Sequence, residues 1–284
     1  MPGLAKSLTG LIFAFCSAAT PAADDAWVVA MNYPAWVVRN YETLPLLPGI
    51  VLQENDLLRT GKGGRLQLRL ADGSVLQIGE SSRLVMMSTA SFQVLRGVFR
   101  VIPEFFDGAS GGYRLEARIG AIGAAWRNSS LWGRADLERD AICLVEGELN
   151  VGSVGFEGVD MNQALSCYVK PRNQAPLPVD LIDIRQHQLW MDETELETAS
   201  GIATRDGRWQ LVLISLTNSK PAEQALTEFH QKGFAVQRIS VVRNGRTLHR
   251  LVLPGFESKE AALNARVRIE ELLGINDAWV WHAK

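Results

Sequence analysis

Few stretches of this chain have residue types at a spacing that could do chemistry. Residues 108–112 read Gly-Ala-Ser-Gly-Gly and formally fit a Gly-x-Ser-x-Gly pattern around Ser110. A nucleophile elbow needs a strand before the serine and a helix after it, because that sharp turn exposes the hydroxyl. Here PEFFD precedes the motif and the alternating run YRLEARI follows it, so Ser110 is expected in a hairpin loop. TGKGG, around Lys62, lacks the spacing and the Ser/Thr of a phosphate loop and reads as a turn. His187, His230, His249 and His282 show no metal-ligand spacing, and no paired-cysteine motif exists. His230 falls late in a helix, where solvation on the polar face is its commonest role. No acid–base constellation can be assembled. The sequence predicts a non-catalytic chain with no cofactor and no metal.

The C-terminal stretch is better suited to contact than to catalysis. Side chains alternate along a strand. If Trp209, Leu211 and Leu213 point at helices, then Gln210, Val212 and Ile214 point away. The same alternation sends Arg238 and Ser240, Arg250 and Val252, and Trp279 and Trp281 to that outward side. Sugars offer apolar C–H faces to aromatic rings and hydroxyl edges to Arg or Gln. The expected ligand-binding set is therefore Gln210, Val212, Arg238, Arg250, Trp279 and Trp281. Two other roles stay open at this point. Each Trp can instead be a buried anchor, and Arg250 can pair with a helix carboxylate.

These residues need elements to position them. WQLVLISL reads as a strand. NSKPAEQALTEFHQKG reads as a helix capped by Ser219 and stopped at Gly233, with the stripe Ala222, Ala225, Leu226 and Phe229. FAVQRISVV and TLHRLVL follow as strands joined at Asn244-Gly245, a strong two-residue hairpin signal. Ser258 caps a second helix with the stripe Ala262, Ala265, Ile269 and Leu272, ended by Gly274, and AWVWH closes the unit. The order β-α-β-β-α-β is the split ferredoxin-like arrangement, an α+β unit whose sheet keeps one face open.

Upstream, from residue 26 to 180, nearly everything reads as strand and turn. RLQLRLADGSVLQIG alternates Leu66, Leu68 and Leu70 with polar neighbours and turns at Asp72-Gly73. Repeats of this pattern predict an all-β sandwich or roll. Residues 181–206 shift toward acidic, Thr and Ser residues. They read as a short helix followed by an exposed linker, with the second unit at 207–284.

Composition agrees with two modest globular domains. The chain has 284 residues, a net charge of −2 and 47% hydrophobic residues. Residues 205–284 carry 12 Lys/Arg against 8 Asp/Glu, and the first 204 carry 17 against 23. Nucleic acid would want a denser basic stripe and is excluded as a partner. Residues 1–23 hold Lys6, a short apolar run and small residues up to Ala22 and Ala23, the layout of a secretory signal peptide. The run is shorter than a spanning helix, and Phe15 before Cys16 is too bulky for a lipobox. The mature chain is therefore expected in the periplasm, with no transmembrane segment. Cys143 and Cys167 remain after cleavage. In an oxidising compartment they pair, or they pack as two buried thiols.

The C-terminal stretch, from about 208 to 284, resembles a SPOR domain. The resemblance rests on WQLVLISL, NGRTLHRLVLPGF, the helix start ESKEAA and AWVWH. It implies binding of septal peptidoglycan, with a preference for glycan strands stripped of stem peptides. The family's usual Val-Gln is replaced here by Leu211-Val212, its Gly-Ser-Phe by Ile214-Ser215-Leu216, and an aromatic by His249. Residues 37–175 resemble a periplasmic FecR-type module through LPLLPGIVLQENDLLRTGKGGRLQLRLADGSVLQIGESSRLVM, the Gly97 strand, CLVEGELNV and LSCYVKPRNQ. The membrane helix and anti-sigma segment that accompany it in iron-transport regulators are not recognisable, so signalling to transcription is not carried over. Two readings follow. One is an envelope protein that binds peptidoglycan, with envelope or division proteins as further partners. The other is a periplasmic protein–protein scaffold whose SPOR-like unit no longer binds glycan.

Overall fold

The computed structural model of the chain describes residues 25–104, 114–243 and 245–283. The expected signal peptide at 1–23, Ser110 and Asn244 lie outside the described residues. The body begins with β1 (Trp27–Asn32), β2 (Ala35–Arg39), β3 (Glu42–Pro45), β4 (Leu57–Thr60), β5 (Arg65–Arg69), β6 (Val75–Ile78) and β7 (Arg83–Ser88). It continues with β8 (Ser91–Ile102), β9 (Leu115–Ile119), β10 (Ile122–Ala135), β11 (Arg139–Ser153), β12 (Val159–Met161), β13 (Ser166–Pro171) and β14 (Asp180–Leu181). Helix α1 (Ile184–Thr194), a 3-10 turn (Thr198–Ser200) and β15 (Ala203–Thr204) come next. The chain ends in β16 (Trp209–Leu216), α2 (Ser219–Gln231), β17 (Gln237–Arg243), β18 (Arg246–Phe256), α3 (Lys259–Leu273) and β19 (Trp279–His282).

Three long strands organise the body by pairing with different neighbours along their two halves. The second halves of β8 and β10 and the first half of β11 lie in the series β1–β5–β6–β8–β10–β11–β13–β14. Their other halves join β7, β9 and β12, with β8 and β9 parallel. The strands must bend to do this. At two bends a serine hydroxyl sits where a side chain would otherwise be. A Cβ on Gly97 (φ +103) would lie 2.0 Å from Ser82 Oγ, and one on Gly147 (φ +101) 2.5 Å from Ser129 Oγ. Ser129 Oγ donates to Glu148 O at 2.7 Å and accepts from Glu148 N at 3.0 Å, which binds the two bent strands together. Only glycine fits there. The alternating leucines, Leu66 and Leu68 among them, point into the core beside Phe92, Phe99 and Trp126.

The C-terminal unit orders its strands β17–β18–β16–β19, all antiparallel. Its two helices bury Ala222 and Phe229, and Ala262, Ala265, Ile269 and Leu273, against Leu211, Leu213, Leu251 and Leu253. Ser258 Oγ accepts from Ala261 N at 3.0 Å, and Gly274 closes α3 in the left-handed region. Asn218, not Ser219, occupies the N-cap of α2, a shift of one residue, and its side chain makes no capping bond.

The connector at 181–206 differs from its expected exposed form. Met191, Thr194, Ser200 and Ala203 are buried. Trp190 stacks on Trp132 at 4.0 Å and 5°. Glu193 pairs with Arg134 at 2.6 Å. β15 lies between β1 and β18. The polar composition misled because a helix this polar docks through two residues, Trp190 and Met191, and through its carbonyls, which accept from Arg65. Direct contacts also join the body to the C-terminal unit. Tyr33 stacks on Phe234 at 5.9 Å, Ala35 N donates to Gly233 O at 3.1 Å, Trp36 Nε1 donates to Gln231 O at 3.1 Å, and Arg268 donates to Tyr33 O. One hydrophobic cluster runs through both.

Candidate functional site

Both helices of the C-terminal unit lie on the Leu211–Leu251 face of its sheet. The opposite face is built by register. Gln210 stands opposite Trp281, Val212 opposite both Trp279 and Val252, and Arg250 opposite Ser215 and Ile239. The guanidinium of Arg250 reaches across the strands to lie 5.8 Å from the Trp279 ring centroid and 5.6 Å from that of Trp281. That is within cation–π range of both indoles. Val212 and Val252 are 0% exposed and form an apolar floor, whereas Trp279 is 38% exposed. Gln210 Oε1 and Arg250 Nε are sealed and have no hydrogen-bond partner among the described residues. The face thus offers ring surface and a cation, with the Gln210 acceptor sealed from solvent.

Five of the six expected residues meet on this face. Arg238 does not. It stands opposite Leu251 and its Nη1 pairs with Glu223 Oε2 of α2 at 3.0 Å, so it belongs to the helix side. The cause is the register: Arg243 pairs with Arg246, and counting back from that pair puts Ile239 opposite Arg250. Ile214 also differs from expectation. A bulge between Val212 and Ile214 turns both Leu213 and Ile214 toward the core and brings Ser215 outward. Ser215, Ile239 and Gln237, which stands opposite Val252, were missed by strict alternation. The unbroken apolar run Leu211–Ile214 was the available signal for the bulge, since alternation would have exposed half of it.

The remaining candidates are dispersed. His230 Nε2 bonds to Val236 O at 2.7 Å, so it ties a loop rather than facing solvent. His249 Nδ1 lies 3.2 Å from Ser240 Oγ, and the His282 ring meets Trp209 edge-on at 4.8 Å. No group of three or more His, Cys, Asp or Glu among the described residues could hold a metal ion. No described helix is long and apolar enough to cross a membrane. Cys143 and Cys167 are register partners across β11 and β13 and form a disulfide with Sγ–Sγ 2.01 Å. A groove of about 640 Å³ in the body is lined by Arg114, Trp126, Arg127, Glu148, Asn150 and Asp160. It holds no nucleophile beside a base and lies in the body, away from the indoles. The flat, ring-bearing face is therefore the better candidate for a sugar chain, because stacking needs an exposed ring rather than a cavity.

Comparison with protein families matches residues 206–281 to the SPOR domain. SPOR domains bind peptidoglycan in the cell envelope and are non-catalytic. No curated protein matches the chain. Among solved structures, two crystal structures of a putative anti-sigma factor from Parabacteroides distasonis ATCC 8503 are similar. Their identities are 14% and 12%, and both have a TM-score of 0.40, covering 80% of this chain and 99% of theirs.

Proposed function

We propose that this chain is an exported envelope protein that holds glycan strands stripped of their stem peptides on the outer face of its C-terminal sheet. Trp279 and Trp281 stack on the C–H faces of the sugars, while the Arg250 guanidinium and the Gln210 amide nitrogen donate to their oxygens. One observation carries the reading: a guanidinium spans two indoles on a sheet face that neither α2 nor α3 covers. In this reading residues 207–284 are the split ferredoxin-like glycan module and 26–180 a FecR-like sandwich or roll that serves as scaffold. Residues 181–206 join them, and 1–23 are the signal peptide that sends the chain to the periplasm. A second reading, a protein–protein scaffold, draws support from Val212. It fills the family's glutamine position with a sealed apolar side chain.

Sedimentation of the full mature chain with cell-wall sacculi separates the two. Sacculi treated with an amidase to strip the peptides should pull down more chain than untreated sacculi. Equal or absent sedimentation with both would remove the glycan reading and leave the scaffold.

A further inference from the structure

A second row of polar and aromatic side chains crosses the body. Gln77, Arg100, Trp132 and Cys143 are successive register partners on β6, β8, β10 and β11, so they share one face. Helix α1 lies on that face. Its Trp190 stacks on Trp132, and Met191 packs with Val98, Cys143 and Cys167. The cover is costly in polar terms. Gln77 Oε1, Arg100 Nε, Trp132 Nε1 and His187 Nε2 are all sealed from solvent with no hydrogen-bond partner among the described residues. A buried polar atom left unpaired opposes the burial that seals it. The docked helix is thus held by two apolar residues and its C-terminal end, against four unsatisfied polar groups.

One of the four, His187, is an imidazole that can take up a proton. Burial, and then the charge of Arg100, hold His187 below its ordinary value, and burial likewise lowers Arg100. The charged groups around the helix are accounted for as follows. Arg100 faces His187 from β8 and feels Glu195. Arg134 of β10 pairs with Glu193, and Arg65 of β5 is taken up by the carbonyls of Asp192 and Glu193 and by the Glu197 carboxylate. On α1 itself, Asp183 accepts from Arg185 N and Asp192 accepts from Gln188. No acidic side chain is paired with His187 among the described residues.

We propose that α1 is a proton-released strap, docked on the Gln77–Arg100–Trp132 row while His187 is neutral and lifted when His187 takes up a proton. Release rehydrates all four groups and separates the new imidazolium from Arg100. It also bares the Trp132 ring and the disulfide behind it. The sign follows from linkage. The freed histidine titrates at about 6.5 and the docked one lower, so docking is at full strength above about pH 6.5. It weakens as the pH falls from there and is fully weakened once the pH drops below the docked value.

Hydrogen exchange of the α1 amides in the full mature chain tests this, read at about pH 7.5 and about pH 5 and corrected for intrinsic rates. Protection over 184–194 should be partly lost at the lower pH, because the docked His187 is held below its ordinary value. Amides of β8 and β10 should keep their protection. His187→Leu, or His187→Gln if the leucine variant folds poorly, should make α1 protection independent of pH. Trp190→Ala should lower it at both. Unchanged wild-type protection, an undiminished drop in both His187 variants, or simultaneous loss in β8 and β10 would each overturn the proposal.

Discussion

Two sheet faces in this molecule carry the same chemistry and differ in their cover. The C-terminal face presents Gln210, Arg250, Trp279 and Trp281. The body presents Gln77, Arg100 and Trp132. On the first, the cation lies across one exposed and one half-buried ring, and no helix of its own unit sits above it. On the second, a helix supplies its own ring, Trp190, to the place a stacking partner would take. The residue types of a face therefore do not define a binding site. What lies over the face does, and that depends on elements far away in sequence. Trp132 and Trp190 are 58 positions apart.

Three measurements would sharpen or break this contrast. The largest expected effect is on the covered side. Replacing both Cys143 and Cys167 by Ala should destabilise the body by about 3 kcal/mol in urea unfolding, because the bridge closes a loop with a separation of 24 residues. Alkylation of the mature chain, which lacks Cys16, without reductant and followed by intact-mass analysis should add nothing; two adducts would mean free thiols and a weaker hold under α1. Next in size is the open side. Trp281→Ala should weaken binding to peptide-stripped sacculi by about 1–3 kcal/mol. It should shift the melting temperature far less than Leu251→Ala, whose buried side chain costs about 2–5 kcal/mol. If Trp281→Ala unfolds the unit, its indole is core and the two faces are not different in kind. The smallest effect is expected for Arg238→Ala. It breaks an exposed pair with Glu223 worth about 0.2–1 kcal/mol and should leave glycan binding unchanged. A binding loss comparable to that of Trp281→Ala would return Arg238 to the site.

Much of this architecture is readable without coordinates, where local rules decide the outcome. The Leu66, Leu68, Leu70 alternation and the Asp72-Gly73 turn give β5 and β6, with Ser74 N donating to Asp72 Oδ1 at 2.9 Å. Ser258 and Gly274 bracket α3 because capping depends on neighbours a few residues away. The face of Arg250, Trp279 and Trp281 emerges from simple alternation along two regular strands. Alternation fails where the backbone departs from regularity. The extra residue at Leu213 reverses the rest of β16, which is why Ser215 and Ile214 exchange sides. Arg238 fails for another reason: its side is set by pairing across the hairpin, and its own strand pattern of apolar Ile239 and Val241 points the opposite way. The docking of α1 was beyond local reading, because Trp132 and Val98 lie on strands more than 50 positions upstream of the residues that meet them.

The two-residue strand β15 has a mechanical consequence. Ala203 and Thr204 are register partners of Met31 and Ala30 of β1, and Ala203 also stands opposite Phe256 of β18. A flexible tether would let a wall-anchored module drift before any tension reached the body. Here the path from Phe256 to Met31 passes through paired backbone, stiffened alongside by the Tyr33–Phe234 stack and the Arg268 contact to Tyr33. There is no slack to take up. A chain gripped at its C-terminal sheet and pulled at its body would carry load across these bonds from the first ångström of displacement.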